Sequence, residues 1–196
     1  MKSRRSLLKR SRLYLILDKP GFDIRAPGIG IIQLRDKISA KPDILKSALK
    51  LARRLRRSNT LLIVNDYPDL AFLSGADGVH LGQADMPLDK ARSILGREKI
   101  IGVSCHNLAQ ALKAQEQGAD YIGIGPIYAT ATKPEYRPIG LKVLKQLKGK
   151  MKIPYFAIGN INKNNIGKIV STGCSRAAVC RAAGAAKDLL KELQVK

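Results

Sequence analysis

Aromatic residues make up only 5% of this 196-residue chain. That scarcity leaves few of the stacking platforms on which single-stranded nucleic acids are held, and no RNA-binding signature stands out. No apolar run approaches the roughly 20 residues of a membrane span. The apolar stretch 13–17, which follows a basic N-terminal dozen, is too short for a secretory signal and ends at Asp18. A cytoplasmic protein is therefore expected, with no membrane partner. Cysteine is also sparse: Cys105, Cys174 and Cys180 are odd in number and lack the paired spacing of a zinc or redox motif. Free, reduced thiols are the expectation.

Acidic residues are few, 15 against 36 basic ones, which gives a formal charge of +21. Such an excess raises the question of a polyanionic partner. Yet the basic residues are spread along the chain, and those between 46 and 57 fall on the wet face of an amphipathic helix. A solvated basic surface is expected, one that attracts small phosphorylated metabolites as a secondary consequence, and nucleic acid is not expected as a partner. Self-association into a homo-oligomer is left open.

Hydrophobic residues reach 45%, which excludes wholesale disorder, and the length fits one domain with a sizeable core. Short apolar runs at 13–17, 29–34, 61–64, 77–79, 99–103, 121–124, 153–158 and 176–179 read as strands. Between them, helical periodicity marks 43–57, 67–74, 88–95, 108–117, 141–147 and 165–170, with a last helix ending at Leu193. The connection 19–28 carries Pro20, Gly21, Pro27 and Gly28 and leaves almost no room for a helix. Eight strands with seven helices predict a compact TIM (β/α)8 barrel whose first helix is missing or replaced by a loop, occupying 13–196 behind a basic N-terminal arm at 1–12. An open doubly wound sheet would usually carry a glycine-rich turn after its first strand, and Asp18-Lys19-Pro20-Gly21 is not one.

Polar residues recur just beyond strand after strand: Arg35 and Lys37, Asn65 and Asp66, His80, Gln83 and Asp85, Ser104 and His106, then Thr130, Thr132 and Lys133. In a barrel these converge on the C-terminal face, where active sites of this fold lie. The stretch 120–133 is the densest of them, an apolar run followed by glycines, two hydroxyls and an ammonium, a design suited to an anion. Asp66 and Asp85 could together hold a hard cation, because Mg2+ takes carboxylate oxygens and keeps positions for water and substrate phosphate. Facing Arg35, Lys37 and Lys133, the pair points to a metal–diphosphate site.

Gln33-Leu34-Arg35-Asp36-Lys37, Asn65-Asp66, Gly78-Val79-His80-Leu81-Gly82-Gln83-Ala84-Asp85, Gly102-Val103-Ser104-Cys105-His106 and Thr130-Ala131-Thr132-Lys133 resemble, in order and spacing, the successive motifs of the thiamine phosphate synthase family. The resemblance implies a Mg2+-dependent TIM-barrel transferase that joins hydroxymethylpyrimidine diphosphate to thiazole phosphate, giving thiamine phosphate and pyrophosphate. It places Gln33 on the pyrimidine side, and Arg35, Lys37, Asn65 and Lys133 on the diphosphate. Asp66 and Asp85 hold Mg2+, Ser104 lies near the pyrimidine and the departing diphosphate, and Thr130 and Thr132 lie toward the phosphate and thiazole. Arg35, Lys37, Ser104 and Lys133 are the residues expected to carry the chemistry.

Related thiazole tautomerases place an acid–base histidine at what corresponds to His106, so a tautomerase-like activity is the enzymatic alternative. Asp66, Asp85 and the 130–133 motif favour the synthase. Two departures fall in the last quarter. The family's glycine pair after the seventh strand is here Gly159-Asn160, and a serine after the eighth is Arg181. Asn tolerates a left-handed backbone better than most residues, and Arg181 could hold the acceptor phosphate through a bidentate contact or fill the pocket. An inactive phosphate-ligand-binding relative is the reading that follows if Asn160 and Arg181 obstruct the acceptor site.

Overall fold

Strands with little polar interruption must be covered on both faces, and a closed barrel wrapped in helices provides that cover. The structure is a computed structural model that describes residues 3–18, 28–131, 135–180 and 185–194. Its strands are β1 (Leu13–Leu17), β2 (Ile29–Leu34), β3 (Leu61–Asn65), β4 (Gly78–Leu81), β5 (Ile100–Cys105), β6 (Tyr121–Ile124), β7 (Tyr155–Ile158) and β8 (Ala177–Val179). All neighbours are parallel, and β8 returns to β1 through Leu13↔Ala177 to close the barrel. The expected TIM barrel is thus observed. The connection expected to lack a helix lies, over 19–27, outside the described residues.

Alternation along the strands sorts the apolar residues into two sets. Tyr14, Ile16, Ile31, Ile63, Tyr121 and Phe156 form one buried cluster in the barrel interior. Leu15, Ile32, Leu62, Val79 and Ile122 belong to a larger cluster between strands and helices. That outer layer is completed by α2 (Lys41–Leu55), α3 (Pro68–Leu73), α4 (Leu88–Leu95), α5 (Leu108–Glu116), α6 (Lys142–Leu147), α7 (Ile166–Val170) and α8 (Ala186–Gln194). Helix α2 buries Ile44, Ala48, Leu51 and Leu55, while Lys46, Lys50 and Arg53 remain on its wetter side.

The segment 1–12, expected as a basic arm, is helical at α1 (Arg4–Arg10) and belongs to the barrel. Ser3 caps it by accepting from the Ser6 amide at 3.2 Å. Leu8, only 2% exposed, joins the interior cluster. Arg4 pairs with Asp77 at 2.8 Å and Arg5 with Asp120 at 3.1 Å. Both aspartates immediately precede a strand, so α1 closes the N-terminal end of the barrel. These arginines are about half exposed, and ion pairs at such positions contribute little; Leu8 is the anchor. Leu8→Ala is expected to lower stability by about 2–4 kcal/mol, measured by urea unfolding, whereas Arg5→Ala should change it by less than about 1 kcal/mol. Equal effects would mean that charge and not packing seats the helix.

Candidate functional site

At the C-terminal end of the barrel two cavities meet. The larger, about 440 Å3, runs from Ile16 past His106, Gly125 and Thr130 to Gly159 and Asn162, with Cys180 at its edge. The smaller, about 260 Å3, is walled by Lys37, Asn65, Asp66, His80 and Asp85. Arg35 and Ser104 line both, so they stand at the seam.

The smaller cavity is strongly polar. Asp66 follows β3 in the left-handed backbone region, at φ 62, a conformation Asp adopts more readily than most residues. Its amide donates to the His80 carbonyl at 2.9 Å, which ties the turn to β4. The carboxylate forms an ion pair with Lys37. Burial pushes the Asp66 carboxyl above its ordinary range; the Lys37 ammonium opposes the shift, and the neighbouring Asp85 carboxyl adds to it. Asp85 is held by its own turn, where Oδ2 accepts from the Gly82 amide at 2.6 Å. A carboxyl at Asp66 whose pKa is raised in part by the adjoining Asp85 carboxyl suits a divalent cation, which relieves the repulsion between the two. No group of three or more His, Cys, Asp or Glu able to hold a metal is found among the described residues. A two-carboxylate site of this kind fits Mg2+, which completes its shell with water and substrate phosphate.

His80 and Ser104 lie within β4 and β5, not beyond them, because the parallel pairing continues through Asn65↔His80 and Ser104↔Gly123. Their side chains point into the barrel. His80 Nε2 is 2.9 Å from Ser104 Oγ, and Gln83 Nε2 donates to the Ser104 carbonyl at 2.6 Å. Gln33 is deeper than the other candidates, 2% exposed and donating to the Tyr14 hydroxyl at 2.6 Å. It is not among the described residues lining either cavity. Arg35 lies within 3.6 Å of Asp18. Thr130 lines the larger cavity, while Thr132, Lys133 and Arg181 lie outside the described residues.

The larger cavity is bounded by close backbone contacts. A methyl group on Gly159 would sit 2.6 Å from Pro126 Cα, and its φ of 111 disfavours any side chain. Asn160 follows in the left-handed region, at φ 50, and its carbonyl accepts from Asn162 Nδ2 at 3.2 Å and Asn165 Nδ2 at 2.9 Å. The residue standing at the second glycine position thus continues the positive-φ backbone of Gly159. Asn160→Gly should leave acceptor affinity within about threefold of wild type, since Gly and Asn both accept this conformation, whereas Asn160→Ala should cost about 1 kcal/mol of stability. A large gain in acceptor affinity from Asn160→Gly would mark the asparagine side chain as an obstruction.

His106 stacks on Tyr136 with ring centroids 4.4 Å apart, and its Nδ1 lies 2.6 Å from the Gly125 carbonyl. A carbonyl only accepts, so Nδ1 carries the proton and a neutral ring has its lone pair on Nε2. Cys105, Cys174 and Cys180 are free thiols. Burial pushes the Cys105 thiol up to about 12, so it supplies no thiolate nucleophile to the cavity. The residues that sequence reasoning missed are Tyr14 and Tyr121, fully buried beneath the site with their hydroxyls 2.8 Å apart. Tyrosines at alternate, lumen-facing positions of two strands were the available signal.

The family described as thiamine monophosphate synthase matches residues 23–183. A thiamine-phosphate synthase of Clostridium acetobutylicum is 44% identical over 169 residues, covering 86% of this chain and 78% of that protein. One from Synechococcus sp. (strain WH7803) is 43% identical over 197 residues, covering 94% of this chain but 56% of its own length. The chain thus spans little more than half of that cyanobacterial relative. A thiamine phosphate pyrophosphorylase structure from Pyrococcus furiosus superposes with a TM-score of 0.82 at 32% identity, covering 95% of this chain and 96% of the other.

Proposed function

This chain belongs to the thiamine monophosphate synthase family, and we propose that it is a transferase condensing hydroxymethylpyrimidine diphosphate with thiazole phosphate to give thiamine phosphate and pyrophosphate. The observation that carries this reading is the junction of two unlike cavities at Arg35 and Ser104. One offers cations and a carboxylate pair. The other offers apolar walls and the closely packed Gly159 backbone.

In this reading the diphosphate lies in the smaller cavity against Arg35, Lys37 and Asn65, and the family motif adds Lys133, which lies outside the described residues. The thiazole phosphate occupies the larger one, its phosphate toward Gly159. Asp66 and Asp85 are the residues that would hold Mg2+, which when bound neutralises charge on the diphosphate oxygens. Cleavage of the pyrimidine carbon–oxygen bond leaves negative charge on pyrophosphate. Preorganised cations at Arg35 and Lys37 stabilise that charge most as it develops. Lys37 must give up part of its contact with Asp66 to reach a substrate, and its half-exposed ammonium makes that exchange inexpensive. The positive carbon is captured by the thiazole nitrogen, so no side-chain nucleophile is needed. Ser104, at the seam, is placed to touch the leaving group.

Incubation with both substrates and Mg2+ tests the proposal: thiamine phosphate should form. Conversion of a thiazole isomer without coupling would instead assign the site to tautomerisation through His106.

A further inference from the structure

A line of polar side chains crosses the barrel interior. Gln33 Nε2 donates to the Tyr14 hydroxyl at 2.6 Å, and that oxygen is 2.8 Å from the Tyr121 hydroxyl. Tyr121 reaches His80 Nδ1 at 3.0 Å, and His80 Nε2 reaches Ser104 Oγ at 2.9 Å. The line starts below the cavities and ends at Ser104, which with Arg35 lines both. It is also built into the packing, because a methyl on Gly102 would fall 2.0 Å from the Tyr121 ring.

The direction of this line follows from its first member. An amide N–H can only donate, so the Tyr14 oxygen accepts from Gln33 and its single hydrogen must go to Tyr121. Tyr121 then passes its own hydrogen to His80 Nδ1. Burial raises the pKa of both phenols, so each keeps the one proton that this sequence requires. A neutral His80 ring with Nδ1 as acceptor carries its proton on Nε2, which donates to Ser104 Oγ. The Ser104 hydrogen is then turned away from His80 and toward the cavities. Either of the other two His80 states, protonated at Nδ1 alone or at both nitrogens, would reverse the Tyr121 contact and leave the Tyr14 hydrogen without a place in the line.

We propose that Gln33, Tyr14, Tyr121 and His80 are positioning residues that fix Ser104 as a one-way hydrogen-bond donor into the site, aimed at the oxygen on which negative charge accumulates as the diphosphate leaves. The role of the donor rests on the synthase reading; its orientation does not. No covalent bond changes within the line. Its contribution is preorganisation, since a hydroxyl already turned toward the developing charge need not reorient during the reaction.

Two measurements test this on the intact 196-residue chain. The chain has two histidines, so 15N-histidine NMR with His106→Gln to assign the signals reads the His80 tautomer without any turnover. A neutral ring protonated at Nε2 is expected at neutral pH. A ring protonated at Nδ1 would mean the opposite Gln33 amide orientation and a reversed line, and an imidazolium would break it; either result overturns the proposal. The second measurement is a double-mutant cycle. Tyr121→Phe should lower kcat by roughly tenfold to a hundredfold with little change in either KM, as for other groups that orient a catalytic ligand. In a Ser104→Ala background it should cost almost nothing further. An equal loss in both backgrounds, or none in wild type, would make Tyr121 a packing residue only. Should the protein lack synthase activity while His80 shows the Nε2 tautomer, the reaction assignment fails and the donor geometry stands.

Discussion

Asp66→Asn and Asp85→Asn should each lower kcat/KM by about a hundredfold to a thousandfold, the several kcal/mol expected when a metal that neutralises transition-state charge loses a carboxylate. They should do so without unfolding the protein. Burial and the Asp85 carboxyl hold the Asp66 pKa above its ordinary value despite Lys37. A carboxyl whose pKa is raised on folding costs stability as it ionises, so the metal-free protein should become more stable as pH falls from the raised folded value toward the unfolded one. Metal binding has the opposite sign, because the ligand must be ionised. Activity should therefore fall, on acidification, at a higher pH than an ordinary aspartate would give, while thermal stability of the metal-free protein rises over the same interval. Asp66→Asn should remove both trends. Wild-type turnover in both variants at limiting Mg2+ would remove the metal assignment.

Gly159→Ala should strike the other half of the site. Its new methyl would lie 2.6 Å from Pro126 Cα and 2.8 Å from the Ile127 amide nitrogen, both backbone atoms that cannot swing away. With a φ of 111, the substitution adds backbone strain to the clash. A stability loss of about 2–4 kcal/mol is expected by denaturant unfolding. Separating the ends of β6 and β7 should also raise KM for thiazole phosphate by roughly tenfold or more. KM for the pyrimidine diphosphate should change much less, since most of its cradle, Arg35, Lys37 and Asn65 with Asp66 and Asp85, comes from β2 to β4 and the turns that follow them. Equal changes for both substrates would mean that the two cavities do not divide the substrates as proposed.

The sequence made the barrel legible because each strand is a short apolar run and most helices carry a clear periodicity. It also placed Arg35, Asp66 and Asp85 at one end of the barrel, since residues just past parallel strands share that end whatever their exact bounds. Lumen residues were harder. Strands buried on both faces lack the apolar–polar alternation that separates inside from outside, so Tyr14 and Tyr121 looked like ordinary strand residues. Their partner relation to Gln33, His80 and Ser104 depends on the register of five strands. Helix α1 was missed for another reason: at seven residues it is too short to show a convincing period. Its helicity depends on Leu8 packing into the barrel, a tertiary cause; the contacts of Arg4 and Arg5 with aspartates 73 and 115 residues away in sequence add little to it.

The central claim is that the two cavities are the donor and acceptor halves of one coupling reaction. It is tested most directly by following both substrates, purified protein and Mg2+ by 31P NMR. The account predicts thiamine phosphate and pyrophosphate appearing together in equal amounts, with neither formed when the thiazole phosphate is withheld or a chelator is added. Binding of both substrates with no pyrophosphate released, or pyrophosphate released at the same rate without the thiazole phosphate, would contradict it.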